Sequence, residues 1–257
     1  MSKDKVIKFV SDVKVLEEFW PRPIGNDLPD WFRKTPSYGG YDGAEPEEKR
    51  MSGGDASYNS TIKRCVPMLE SLSLGYVLLT HQDVYVKLEA PKEENDPNDK
   101  GGWQFSWRGG VSAGKAVEGH VFGQASEHPL AAMYKHRDVH KWINPWRIQT
   151  PPGYSTLFLP PMNNPNGYFT ALPGVVDTDV YTNTVNFPFV IEKSSWEGII
   201  PAGTPVVQVF PFKRESWKME VGADEETQKK YENAELKFRT HIASVYRRFF
   251  WQRKEFK

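Results

Sequence analysis

Asp177 and Asp179 lie two residues apart just after Gly174, in the stretch Pro173-Gly-Val-Val-Asp-Thr-Asp-Val-Tyr181. In an extended backbone, side chains at this spacing point to the same face. Two carboxylates on one face can hold Mg²⁺, position a water molecule or accept from a hydroxyl. The competing reading is an Asp-rich turn between strands, where each carboxylate caps nearby backbone.

Four of the six histidines, His120, His128, His136 and His140, fall within 21 residues. His136 and His140 are four apart on an expected helix, so both rings share one face, a spacing that can bind zinc. The run reads His-Arg-Asp-Val-His and lacks the Glu of a His-Glu-x-x-His site. His136 with Asp138 gives part of a facial triad for non-haem iron, with no third ligand assigned. Histidines on a solvated helix face are the preferred reading, since no complete ligand set follows.

Ser155 sits on a turn after two prolines but outside any Gly-x-Ser-x-Gly elbow, so local bonding is expected of it rather than nucleophilic attack. Gln208 interrupts the apolar strand Val206-Val-Gln-Val-Phe210, and a buried Gln must find partners, backbone first. Residues 237–257 hold seven Lys or Arg against one acid, Glu255, interleaved with Phe249, Phe250 and Trp251. That mixture suits phosphate backbones and stacked bases. It equally describes an aromatic segment docking on its own domain or a neighbouring subunit, which is preferred because the chain lacks a broad basic footprint.

Positioning these groups requires a β-unit. Thr150-Pro-Pro-Gly-Tyr-Ser-Thr-Leu-Phe158, the Asp177 stretch and Ile200-Pro-Ala-Gly-Thr-Pro-Val-Val-Gln-Val-Phe-Pro211 each join a Gly/Pro turn to a β-rich apolar run. Their order and spacing predict strands over 175–181 and 205–210 of one structure, with Asp177 and Asp179 close to the Gly203 turn. Residues 5–16 read as a strand or short amphipathic segment, 76–79 and 83–88 as strands, 91–102 as an exposed loop and 103–107 as an aromatic strand. Short helices are expected near 64–74, with Pro67 in the first turn and Gly75 ending it, and over 129–143. Asp224-Glu-Glu opens a C-terminal helix near 225–250. The fold class is mainly β with added helices. Residues 1–60 form an aromatic, turn-rich arm, 61–222 the β-rich core, and 223–257 the helix and tail.

Composition agrees. The 257 residues carry 33 basic and 33 acidic side chains, so no global field selects nucleic acid or membrane. Aromatics make up 14% with nine Trp, which also suits carbohydrate binding, although most belong in a core. Twenty Pro and twenty Gly favour turns over a helical bundle. The single Cys65 excludes an internal disulfide and a Cys-based zinc site. No apolar run approaches a membrane span, and Met1-Ser-Lys-Asp-Lys-Val-Ile has no secretory apolar region, so the cytoplasm is the expected location.

Taken together, the three motifs resemble the β-clip fold of trimeric dUTPases and dCTP deaminases. Pro-Gly-Tyr-Ser155 stands where that family has a serine turn. Gly174-Val-Val-Asp177-Thr-Asp179 resembles its Asp-containing hairpin, with Tyr181 one place later. Gly203-Thr-Pro-Val-Val-Gln208-Val resembles its last strand. The resemblance spans residues 146–212 and implies a β-clip core, a trimer, Asp177 and Asp179 as catalytic candidates, and Tyr154, Ser155, Tyr181 and Gln208 as ligand-binding candidates. The chain departs from the family in two places. Gly153-Tyr154-Ser155 stands where the family has the phosphate-holding Arg-Ser or Ser-Ser, and a charged helix replaces the glycine-rich closing arm. Taken whole, the chain is similar to uncharacterised proteins of tailed phages and bacteria. The expectation is a phage-type homo-oligomeric binding or structural module, with phage or host protein partners, in a host cytoplasm or virion, without cofactor or nucleotide hydrolysis. The alternative is an enzyme acting on a nucleotide or other phosphorylated small molecule through Asp177, Asp179 and Gln208, with Mg²⁺. A metal-dependent oxygenase using the 128–140 histidines stands behind both.

Overall fold

The computed structural model is mainly β with added helices, and describes residues 5–38, 60–90, 101–107, 114–121, 124, 127–133, 139–193, 195–222, 224–241 and 244–257. It divides into two compact units. The first comprises Met1–Ile24, Gly75–Arg214 and Lys257; the second comprises Gly25–Leu74 and Glu215–Phe256.

All the described strands belong to the first unit. In chain order they are β1 (Lys8–Val10), β2 (Arg22–Pro23), β3 (Tyr76–Leu79), β4 (Val84–Glu89), β5 (Gly102–Ser106), β6 (Val117–Gly119) and β7 (His140–Trp142). Then follow β8 (Arg147–Gln149), β9 (Tyr154–Leu159), β10 (Phe169–Ala171), β11 (Gly174–Val176), β12 (Phe187–Ile191), β13 (Glu197–Ile200) and β14 (Pro205–Lys213). They form four sheets, ordered β11-β9-β14-β3-β2, β10-β12-β7-β6, β13-β4-β5 and β1-β8. Every pairing is antiparallel.

The three turn-strand motifs become neighbours in one sheet as β9, β11 and β14, the last running to Lys213. Apolar β-branched residues make this economical: Val206, Val207 and Val209 are buried, and Phe158 packs on Phe187 at 5.2 Å. Phe189 gathers the aromatic core, stacked on Trp142 at 4.9 Å and packed on Phe169 at 5.3 Å. Gly75 takes φ +80°, and a Cβ there would sit 2.2 Å from the Val209 carbonyl oxygen, so β3 approaches β14 through a position only glycine fills.

The expected strands at 76–79, 83–88 and 103–107 appear as β3, β4 and β5. In this unit two local expectations fail. The helix expected over 129–143 is a short one, Pro129–Met133, while His140–Trp142 is β7, paired with both β6 and β12. Val139 and Trp142 are core residues, as their apolar character implied, but two flanking strands supply backbone partners that override the helical spacing. Met133, expected on the apolar side, is 73% exposed. The strand expected over 175–181 stops at Val176, and the Asp177 carbonyl oxygen accepts from the Val180 and Tyr181 N–H groups to make a turn.

The second unit contains α1 (Asp30–Lys34), α2 (Val66–Ser73), α4 (Glu225–Thr240) and α5 (Val245–Phe249), α3 being the Pro129–Met133 helix of the first. Phe32, Val66, Leu72 and Val245 are its buried apolar residues. α2 carries Pro67 in its first turn as expected. Asp224 caps α4, its side chain accepting from Thr227 N at 2.7 Å. The single helix expected near 225–250 is interrupted before Ser244, whose φ of +59° is left-handed and whose hydroxyl accepts from Arg64 at 2.7 Å. Among the described residues no helix is long and apolar enough to cross a membrane.

Candidate functional site

Sheet register brings the carboxylate pair to a partner 35 residues away. Val176 lies opposite Thr156, and Thr156 opposite Pro211, so the turn after β11 reaches the end where β14 leaves the sheet. There Arg214 N donates to Gly153 O at 2.8 Å, extending the ladder past Lys213. Gly153 adopts φ +84° to make the turn entering β9, and its own N–H donates to Asp179 Oδ2 at 2.8 Å.

Beneath the turn, Thr178 is 1% exposed and its hydroxyl lies 2.8 Å from that of Thr150 and 2.7 Å from that of Thr156, both also buried. This chain of hydroxyls fixes the turn's depth and leaves the flanking aspartates on one side. Arg214 then closes over both. Its Nη1 donates to Asp179 Oδ1 at 2.8 Å and its Nη2 to Asp179 Oδ2 at 2.5 Å, a two-pronged pairing. The same guanidinium reaches Asp177 Oδ1 at 3.3 Å. Ser155, 1% exposed, donates its hydroxyl to Asp177 at 2.6 Å and accepts from Arg214 at 3.2 Å.

The electrostatics follow from this geometry. The Arg214 hydrogen bonds, then the Gly153 N–H, hold the Asp179 carboxyl down at about 2, outweighing its loss of water. Asp179 in turn raises the Arg214 guanidinium. The Asp179 side chain is 5% exposed, against 58% for Asp177. Mg²⁺ does not fit this pair, because a guanidinium already stands where the cation would sit and both Asp179 oxygens accept from fixed donors. Among the described residues no group of three His, Cys, Asp or Glu is arranged to hold a metal ion.

The other candidates are dispersed. Gln208 is fully buried and its Oε1 accepts from Met162 N at 3.0 Å, which holds the loop after β9. Tyr154 lies at the start of β9 with the Lys5 ammonium 5.1 Å from its ring. Tyr181 is 44% exposed and its hydroxyl donates to Thr184 O at 3.4 Å. His140 is on a strand rather than a helix, its ring packed against Phe105 at 4.6 Å and Phe189 at 6.2 Å. His136 lies outside the described residues.

Asp177 and Asp179 are not close to the Gly203 turn. Asp177 lies near the level of Phe212, while Gly203 precedes Pro205 at the other end of β14. At ~3.3 Å per residue, the seven steps from Pro205 to Phe212 separate the two ends by about 23 Å along β14.

Arg214 was not anticipated, although it directly follows the strand of the third motif, where a basic residue can meet acids of a neighbouring turn. A second overlooked signal is Trp217, Met219 and Val221, alternating apolar residues that are 90%, 85% and 92% exposed. They precede α4, on which no residue is buried. No family model matches the chain, and no curated protein is significantly similar to it.

Proposed function

We propose that the protein is a binding or structural module, β-clip-like in the order of its three motifs though not in the proximity of Asp177 to the Gly203 turn, that assembles with copies of itself, a trimer being favoured, and does not hydrolyse nucleotides. The observation that carries this reading is the closure of Asp177 and Asp179 by Arg214. A carboxylate that aims water at a phosphate must be free to take a proton and must face phosphate clamps. Here Asp179 is held well below neutrality as an ion-pair partner, and Ser155, which the family resemblance offers to phosphate, is turned onto Asp177. The cluster holds the turn against β9 and β14.

Self-association is supported by the apolar surface of residues 217–238. Trp217, Met219 and Val221 alternate along the segment that precedes α4, and Tyr231, Leu236 and Phe238 of α4 are each more than half exposed. The aromatic tail is partly occupied within its own unit. Trp251 Nε1 donates to Glu70 at 2.7 Å, Lys254 pairs with Glu70 at 2.5 Å, and Phe250 stacks on Phe238 at 5.8 Å. Arg247 and Arg248 lie over the rings of Trp251 and Phe249. These contacts support docking over nucleic-acid binding for the basic tail. The phage context, with a phage or host partner in host cytoplasm or virion, rests on the whole-chain resemblance.

Incubation with dUTP or dCTP in Mg²⁺ is expected to release pyrophosphate at the rate of a no-protein control. Turnover that disappears in Asp177→Asn would overturn the reading and establish the nucleotide enzyme in its place.

A further inference from the structure

A different sheet carries a second surface with its own chemistry. Across β13-β4-β5, Ile199 pairs with Tyr85 and Tyr85 with Ser106, so these three side chains form one row on a common face. The alternate positions Val84, Val86 and Ile200 are fully buried, which turns this row outward. Tyr85 is 36% exposed and Ile199 54%. With Asp83 just before β4 and Trp107 just after β5, the row lines an open cleft of about 630 Å³. That volume lies in the range of small-molecule sites.

The walls are polar and apolar in alternation. Asp83 Oδ1 accepts from Ala202 N at 2.8 Å, which fixes the carboxylate at the cleft. The Tyr85 hydroxyl donates to the Glu197 carboxylate, which raises the phenol's pKa and fixes its ring. Ser106 adds a hydroxyl that both donates and accepts.

We infer that this cleft binds a neutral saccharide. A sugar ring has an apolar C–H face and a rim of hydroxyls, which match the Tyr85, Trp107 and Ile199 surfaces and the Asp83 and Ser106 groups respectively. Asp83 repels anions, which disfavours phosphates and nucleotides. A purely apolar ligand would strip water from a carboxylate and a hydroxyl without replacing their hydrogen bonds. A compact cation would satisfy Asp83 and one ring yet fill only a small part of the volume.

The test uses the full chain with maltotriose, cellotriose, xylotriose and chitotriose, by saturation-transfer NMR and isothermal titration calorimetry. At least one trisaccharide is expected to bind saturably, in the micromolar to millimolar range. Tyr85→Ala and Asp83→Asn should each weaken it at least about tenfold, whereas Val10→Ala, at an exposed position on β1, should leave it unchanged. The Asn variant keeps an acceptor for Ala202 N, and Ser106→Ala provides a third variant should either of the first two fail to fold by circular dichroism. Binding by none of the four sugars, equal binding by the cleft variants, or displacement by choline or inorganic phosphate would overturn the inference. The outcome is independent of the Asp177–Arg214 cluster, which lies on another sheet.

Discussion

Arg214→Glu is expected to cost more stability than any other exchange in the carboxylate cluster. It removes the only guanidinium that meets both Asp177 and Asp179 among the described residues and puts a third carboxylate in its place. Asp179 cannot escape into water, since its side chain is 5% exposed and Gly153 N–H still holds one oxygen. Like charges at this distance repel, and solvent screens the repulsion at position 214 (39% exposed) and at Asp177 (58% exposed) more than at Asp179 (5% exposed). The turn above Thr178 would have to open, uncovering three buried threonine hydroxyls. A Tm loss on the order of 10 °C is expected for breaking such a network. Arg214→Lys should fall between wild type and Glu, because an ammonium keeps the charge but not the two-pronged geometry. Differential scanning fluorimetry of the three proteins at neutral pH checks the order. An Arg214→Glu protein as stable as wild type would show that the cluster does not hold the turn.

The second large effect concerns assembly. Fully burying Trp217, Met219 and Val221 contributes roughly 1.5–3 kcal/mol each. Association itself costs on the order of 4–15 kcal/mol. The three residues alone therefore do not hold a stable oligomer, and the exposed Tyr231, Leu236 and Phe238 of α4 must add to the surface. Near that balance, losing these three side chains tips the equilibrium. Wild type is expected as an oligomer, about 88.5 kDa for a trimer of 29.5 kDa chains, by light scattering at tens of micromolar. The triple variant Trp217→Ser, Met219→Ser, Val221→Ser should run at the monomer mass with unchanged β signal in circular dichroism. Deletion of residues 249–257 should have the smaller effect, because Trp251 and Lys254 are engaged with Glu70 inside their own unit. A monomeric wild type, or an unchanged mass for the triple variant, would refute self-assembly through this segment.

The parts of this architecture that were legible in the sequence are those written in local chemistry. Gly and Pro turns beside β-branched runs announce β9, β11 and β14, and Pro67 with Gly75 brackets α2. Asp224 announces α4 because a cap acts within four residues. What was not legible depends on non-local pairing. The run around His140 has helical spacing, yet β6 and β12 claim it as a strand from opposite sides. The alternation of Asp177 and Asp179 suggested a shared face, and they do share one, although through a turn rather than a strand. Their partner is set by a register across β9 and β14 that no local pattern encodes. The same register separates them from the Gly203 turn. α4 breaks before Ser244, a boundary the spacing of Tyr231, Ala234 and Phe238 does not reveal.

The central claim is that Arg214 closes the carboxylate pair, and the protonation of Asp179 reports this directly. A carboxyl at about 2 in the folded chain, against about 3.9 unfolded, contributes stability that is complete above about pH 4 and is lost as pH falls toward 2. Carboxyl-carbon NMR of protein labelled at the aspartate side chains, titrated from neutral pH downward and assigned with Asp179→Asn, measures that value in place. Asp179 should remain ionised to about pH 2, and added Mg²⁺ should leave its resonance unmoved. Titration at or above pH 4, or a saturable shift with Mg²⁺, would mean that the pair is open and available for chemistry, contrary to the structure described above.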